Sequence, residues 1–171
     1  RMADTTPQQP IRVLCADDHA LVRKGIASIL ANEADIDLVA EAQNGEEAVR
    51  LFRQHQPDVT LMDLRMPVLD GIGAAKAIRE EFPDARIIAL TSFDGDQEIY
   101  RALQVGVRGY ILKEMVHTEV LRAIRLVHSG AKLMPPEVVE RLAEHFPQVP
   151  LTPREIEVLG EVARGLSNKE I

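Results

Sequence analysis

An α/β protein with a doubly wound, five-stranded parallel sheet is the fold class that this sequence predicts. Three observations point there. Short apolar runs of strand length alternate five times with longer segments whose apolar residues recur at helical spacing. The 171 residues are 46% hydrophobic, enough to fill a core on both faces of a sheet. Crossovers between parallel strands are right-handed, so the connecting helices must cover both faces.

Each element follows in turn. Ile11 to Ala16 is the first strand, and Val22, Ile26, Ile29 and Leu30 then fall on one helical face. Ile36 to Ala42 is the second strand. Asn44, with Glu47 three residues on, forms a capping box that opens a helix with Ala48, Val49, Leu51 and Phe52 inward. Pro57 separates that helix from the strand Val59 to Met62. The loop Arg65 to Gly71 leads to a helix around Ala74 to Phe82, broken by Pro83-Asp84 before the strand Arg86 to Thr91. A helix near Asp96 to Val105 stops at Gly106. Tyr110 to Leu112 is the last strand, and Thr118 to His128 the last helix, ended by Ser129-Gly130. Strand orders 3-2-1-4-5 and 2-1-3-4-5 both fit this pattern, and both put a ligand site at the carboxyl ends of the strands.

After Gly130 the pattern changes. Pro135-Pro136 opens a short helix to about Glu144, and Pro147 to Pro150 ends it. Thr152-Pro-Arg-Glu155 is a capping box with Pro at the first helical position, predicting a helix that runs to Gly165. Ser167-Asn-Lys-Glu170 announces another, and the given chain reaches Ile171 one turn in. The expected division is 10–130 for the sheet domain, 131–150 for a helical linker and 151–171 for an all-α segment.

Composition excludes several functions. Lys and Arg total 20 against 27 Asp and Glu, a net charge of −7, which is not the signature of a nucleic-acid binder. The single cysteine, Cys15, makes neither an internal disulfide nor a cysteine zinc site. No apolar run approaches the roughly 18 residues that span a bilayer, so a cytoplasmic protein with no membrane partner is expected.

The chemistry gathers at the strand ends. The first strand delivers Asp17 and Asp18, the third Asp63, the fourth Thr91 and Ser92, the fifth Lys113. In a parallel sheet these lie on one edge. A lone Asp after a strand is more often a helix cap than a catalytic group, and Asp18 could cap the first helix. The weight comes from the conjunction on one edge. Close carboxylates repel, and a divalent cation removes that conflict. All-oxygen ligands favour Mg²⁺ or Mn²⁺, and Mg²⁺ readily takes phosphate oxygens. A carboxylate beside such an ion can attack phosphorus to give an aspartyl phosphate. Thr91 could donate to a phosphoryl oxygen and Lys113 neutralise its charge.

At these residues the sequence resembles a known family. Cys15-Ala-Asp-Asp-His19, Leu61-Met-Asp-Leu-Arg-Met-Pro67 with Asp70-Gly71, Ala89-Leu-Thr-Ser92 and Gly109-Tyr-Ile-Leu-Lys113 resemble the receiver domain of two-component response regulators. Leu151 to Leu159 with Gly165 to Ile171 is similar to the opening of a LuxR-type helix-turn-helix domain, and the pair resembles the NarL/FixJ subfamily. The resemblance implies the flavodoxin-like order 2-1-3-4-5. It makes Asp63 the phosphoacceptor. Asp18, Asp63 and the Arg65 backbone carbonyl become Mg²⁺ ligands, with Asp17 acting through metal-bound water. Thr91 and Lys113 take phosphoryl oxygens, and Thr91 with Tyr110 forms a switch pair. A sensor histidine kinase is the implied phosphodonor, and a homodimer forms on phosphorylation. The implied enzymology is self-phosphorylation and autodephosphorylation at Asp63, without turnover of an external substrate. DNA binding belongs to the full-length form, because the recognition helix is absent from the sequence as given.

One departure concerns Lys113. Many receivers have a Pro after it, following a cis peptide; here Glu114 stands there. A cis bond before a non-proline costs ~2.5–4 kcal/mol, so the expectation is either a strained cis bond or a trans bond with Lys113 aimed differently. Cys15, Met62 and Met66 are expected in the core, His19 at a helix start or touching solvent at the site, and Phe93 either shielding the phosphoryl group or as an exposed loop aromatic. Arg65 reads as an anion-steering or plain surface charge. Exposed Arg101, Arg122 and Arg125, near Asp96, Glu98 and Glu119, with Val138, Val139 and Leu142 beside them, are the expected dimer surface. A rival reading is a Mg²⁺-dependent phosphatase of the haloacid-dehalogenase type. Those enzymes carry D-x-D after the first strand, whereas Asp17 and Asp18 are adjacent. A stand-alone interaction domain with a dead site is a third, disfavoured by the joint presence of Asp18, Asp63, Thr91 and Lys113.

Overall fold

Alternation of side chains along each strand decides how this molecule is layered. The structure is a computed structural model, and it describes residues 7–92, 96–145 and 156–158. The strands are β1 (Ile11–Ala16), β2 (Ile36–Ala42), β3 (Val59–Asp63), β4 (Ile87–Thr91), β5 (Gly109–Leu112), β6 (Lys132–Met134) and β7 (Ile156–Val158). The helices are α1 (Ala20–Ala31), α2 (Gly45–His55), α3 (Gly71–Glu81), α4 (Asp96–Gln104), α5 (Val116–His128) and α6 (Pro136–His145). In β1, Val13 and Cys15 join one buried cluster with Ile26 and Leu30 of α1 and Val120 and Ile124 of α5. Leu14 and Ala16 join the other, with Phe52 of α2, Ile78 of α3 and Ile99 of α4. The period of two thus feeds two cores from one strand. Cys15 is fully buried, and burial pushes its thiol up to about 12. Met62 and Met66 are also core residues.

The sheet order is β2-β1-β3-β4-β5-β6-β7, every pair parallel. Its first five strands have the order that the family resemblance implied, and the alternative 3-2-1-4-5 is excluded. The sheet extends beyond the five expected strands. The outer edge of β5 offers unpaired backbone groups, and the start of the expected linker satisfies them: the Leu133 N–H donates to the Arg108 carbonyl at 2.9 Å. Ile156–Val158 then pairs with β6, where a helix was expected. Alternating β-branched Ile156 and Val158 around Glu157 suit a strand added at an open edge. The capping boxes Thr152–Glu155 and Ser167–Glu170 and the side chain of Leu142 lie outside the described residues, as does Phe93.

Helix starts follow their cap chemistry. The Asn44 side chain accepts from the Glu47 N–H at 2.8 Å, and Asp70 accepts from the Gly73 N–H at 2.7 Å. Asp18 does not cap α1. His19 is the N-cap residue and supplies no side-chain cap bond.

The expected dimer surface is altered by β6 and α6. Val138 is fully buried in the cluster that holds Ile99, Ala102 and Tyr110, so it is core rather than an exposed patch. The Arg125 guanidinium is engaged with Asp35 at 2.8 Å and Glu33 at 3.0 Å. Its charge ties α5 to the α1–β2 turn.

Val68 has φ +71° and is 76% exposed. The Leu69 N–H donates to the Pro67 carbonyl at 2.8 Å, closing a three-residue turn around it. A β-branched residue there is strained by ~1–3 kcal/mol, and glycine relieves that at an entropic cost of ~0.5–1 kcal/mol. Val68→Gly is therefore expected to stabilise the protein by about 1 kcal/mol, read as a raised urea midpoint at unchanged slope. A lowered midpoint contradicts the strain.

Candidate functional site

Strand register brings the acidic residues together. Cys15 pairs with Leu61 across β1 and β3. Two residues further along each strand, on the same side of the sheet, stand Asp17 and Asp63. On the other side of β3, Asp63 is in register with Leu90, and Leu90 with Ile111. Lys113 again lies two residues on, in the short 3-10 turn Lys113–Met115 that precedes α5. One face of the sheet therefore presents Asp17, Asp63 and Lys113 at its carboxyl edge, and Asp18 and His19 follow in the turn into α1.

The distances bear this out. Lys113 Nζ donates to Asp63 Oδ2 at 2.9 Å and lies 3.4 Å from Asp17 Oδ2. The Lys113–Glu114 peptide is trans, as no described peptide bond is cis. Lys113 nevertheless reaches the pocket, so the expected misdirection does not occur: the 3-10 turn supplies the change of direction. Asp63 Oδ1 accepts from the Arg65 N–H at 3.1 Å. Asp17 Oδ1 accepts from the His19 N–H at 2.8 Å, while Asp17 Oδ2, fully buried, has no hydrogen-bond partner. Ligand atoms of Asp17, Asp18, His19 and Asp63 all lie within 4.8 Å of one another.

Asp63 is 2% exposed. Burial pushes its carboxyl up to about 6, against the pull of the Lys113 hydrogen bond and the Arg65 N–H and with the Asp17 charge adding to the rise. Burial disfavours the Lys113 ammonium, yet the hydrogen bond and charge of Asp63, with Asp17, hold it above its ordinary range. Two carboxylates and one ammonium therefore meet in a buried space with negative charge in excess. The Asp17 Oδ2 oxygen accepts no hydrogen bond and has only the Lys113 ammonium at 3.4 Å, and with the Asp18 and Asp63 carboxylates beside it the site fits a small divalent cation.

Thr91 is buried at the end of β4. Alternation from Ile87 and Ala89 puts it on the α2–α3–α4 side of the sheet, the side to which Tyr110 also points. Tyr110 is fully buried, and its hydroxyl donates to the Ile99 carbonyl of α4 at 2.7 Å. Burial, with the Glu98 charge, drives the Tyr110 phenol well above its ordinary range. Arg65 is paired: its Nε lies 3.1 Å from Glu98 Oε2, so the loop after Asp63 is tied to α4. His19 lies at the mouth of the pocket, the second of its two expected places. Sequence reading missed one participant. Gly71 packs under the backbone of Asp63, signalled only by the Asp70-Gly71 pair.

The doubly wound parallel sheet thus carries a buried aspartate, a lysine and an acidic cluster together at its carboxyl edge. A model of the response regulator receiver domain matches residues 13–125, and the chain belongs to that family. It is a response regulator of the two-component type, and a receiver domain is not a conventional enzyme. The chain is 36% identical to the transcriptional regulatory protein LnrK of Bacillus subtilis over 94% of its own length and 80% of that protein. It is 39% identical to the response regulator VraR of Staphylococcus aureus over 94% of its length and 79% of that protein's. Among solved structures it is similar to a LuxR-family two-component response regulator from Aurantimonas, with TM-score 0.75 and 32% identity over 82% of this chain and all of that one. The haloacid-dehalogenase reading has no support in these comparisons. Among the described residues no helix is long and apolar enough to cross a membrane.

Proposed function

We propose that a sensor histidine kinase phosphorylates Asp63, and that the phosphoryl group switches a DNA-binding transcriptional output. The observation that carries this reading is the 2.9 Å contact of Lys113 Nζ with the buried Asp63 carboxylate, with the same ammonium 3.4 Å from the buried Asp17 Oδ2. In the proposed step an Asp63 carboxylate oxygen forms a bond to phosphorus, the N–P bond of a phosphohistidine breaks, and the imidazole leaves with the electron pair. Water later attacks the acyl phosphate and releases inorganic phosphate. Asp18, Asp63 and the Arg65 carbonyl would hold Mg²⁺, with Asp17 acting through water. Bound there, Mg²⁺ would neutralise charge on phosphoryl oxygens. Lys113 pairs with one such oxygen and Thr91 donates to another. Self-phosphorylation from a small acyl phosphate and slow autodephosphorylation follow from the same groups.

The relay is proposed to run through Thr91 and Tyr110. Both lie on one side of the sheet, and Tyr110 is bonded to α4, so a Thr91 hydroxyl engaged by the phosphoryl group biases how α4 packs. A homodimer is the proposed consequence. LnrK and VraR are named as a transcriptional regulatory protein and a response regulator, which supports an output at DNA. The proposed division is a receiver over 10–130, a linker over 131–150 and, over 151–171, a segment similar to the opening of a LuxR-type helix-turn-helix domain, in which Ile156–Val158 is a strand here rather than the expected helix. Light scattering with and without beryllofluoride and Mg²⁺ tests the relay. Wild type is expected to dimerise on addition, and Thr91→Ala to bind the mimic yet remain monomeric. Equal dimerisation of the two contradicts it.

A further inference from the structure

We infer that Arg23, in the first turn of α1, is a positioning residue of the acidic pocket: it fixes the turn between β1 and α1 so that the Asp18 carboxylate faces Asp63. The inference rests on the metal site proposed above and adds a residue which that site does not include. Arg23 Nη1 donates to the Asp17 backbone carbonyl, and Arg23 Nε lies 3.8 Å from Glu41 Oε1 of β2. The Arg23 side chain is only 12% exposed, so these contacts are made in a largely buried corner. One guanidinium thus joins α1, the end of β1 and the neighbouring strand. Its planar fork of several donors can serve a carbonyl and a carboxylate at once.

The carbonyl it holds controls the next residue. The Asp17 carbonyl and the Asp18 N–H belong to one planar peptide, so fixing the carbonyl sets the direction in which the Asp18 side chain leaves the backbone. Asp17 is pinned elsewhere too. Its N–H donates to the Ala42 carbonyl at 3.0 Å, and its Oδ1 accepts from the His19 N–H at 2.8 Å. Asp18 is exposed, and its carboxylate meets the equally exposed His19 ring at 3.2 Å. An exposed pair of that kind orients a side chain weakly. Ligand atoms of Asp17, Asp18 and Asp63 nevertheless lie within 4.8 Å of one another, and the buried hold of Arg23 on the turn accounts for it.

Two effects of Arg23 on a bound Mg²⁺ have opposite signs. Its charge repels the ion, so loss of the charge alone would tighten binding. Its hydrogen bond orients a ligand, and loss of such a partner weakens metal affinity by about 10–100-fold. Calorimetric titration of Mg²⁺ into the metal-stripped full chain reads the sign, on wild type, Arg23→Met and Arg23→Lys. Both replacements keep a long stem. Arg23→Met removes charge and donors, and its Mg²⁺ affinity is expected to fall about tenfold. Arg23→Lys keeps the charge and a donor but loses the fork, and a fall of about threefold is expected. Half-maximal labelling of Asp63 by acetyl phosphate is expected to need about tenfold more Mg²⁺ in Arg23→Met. Thermal unfolding of each metal-free form accompanies the titrations. Affinity equal to wild type or tighter in either variant overturns the positioning role and leaves the metal site standing. So does a fall in affinity seen only in a variant that is partly unfolded at the temperature of the titration. Failure of wild type to bind Mg²⁺, or binding unchanged in Asp63→Asn, overturns the metal site itself and this inference with it.

Discussion

Gly71→Ala is expected to destabilise the protein by about 3 kcal/mol or more and to dislodge Asp63. A Cβ built at Gly71 runs into the Asp63 carbonyl oxygen and falls 2.8 Å from its carbonyl carbon and from the Leu64 Cα. These are backbone atoms at the end of a central strand, so no side chain can swing away. The Gly71 N–H also donates to the Leu64 carbonyl at 3.0 Å, which pins the first turn of α3 against that strand. Overpacking costs typically 1–3 kcal/mol where side chains can yield, and this site lies at the upper end because they cannot. The effect is twofold. Thermal unfolding shifts down, and Asp63 loses its register with Lys113, so labelling at Asp63 falls even in the fraction that stays folded. A variant that unfolds like wild type and labels normally would show that α3 can back away without cost.

Asp63→Asn has the opposite sign on stability. In the metal-free protein the native state holds the Asp63 proton more tightly than the unfolded chain, since burial pushes the carboxyl up to about 6. A raised native pKa contributes stability that is fully present below about pH 4 and lost as pH rises through about 6. Above that pH the buried carboxylate costs of order 3 kcal/mol, net of its pairing with Lys113. The amide carries no charge to desolvate. Metal-free Asp63→Asn is therefore expected to unfold at higher temperature than wild type at pH 7, and to lack the decline between about pH 4 and 6. Mg²⁺ is expected to stabilise wild type by roughly 2–3 kcal/mol at about a hundredfold its dissociation constant. It should hardly move the variant. Scanning calorimetry with chelator and with Mg²⁺ checks both statements. A wild type indifferent to Mg²⁺, or a metal-free variant less stable at pH 7, contradicts them.

Much of this was legible in the residues. Alternating apolar runs and helical faces gave five strands and five helices close to their observed bounds, because burial on both faces leaves a strong pattern. Asp17, Asp63, Thr91 and Lys113 could be placed on one edge because parallel strands all end there. Strand order could not be read that way, since periodicity is indifferent to which strand is neighbour to which. Nor could the closeness of Gly71 to Asp63, which depends on how a loop folds back. The segment Lys132–Met134 reads as linker because three residues carry too little pattern; the open edge of β5 makes them a strand. Lys113 reaches its place with Glu114 after it, within a 3-10 turn. For His19 the sequence leaves a helix start and a place at the site both open, and the contact of its ring with Asp17 decides for the pocket mouth.

The central claim is that Asp63 accepts a phosphoryl group in a site completed by Mg²⁺. Intact mass after incubation with acetyl phosphate tests it most directly, on wild type and Asp63→Asn, each with Mg²⁺ and with chelator. Wild type is expected to gain the mass of one phosphoryl group with Mg²⁺ alone, and Asp63→Asn to gain none in either condition. Labelling of Asp63→Asn to the wild-type extent, or a wild type that remains unmodified with Mg²⁺, would contradict the account.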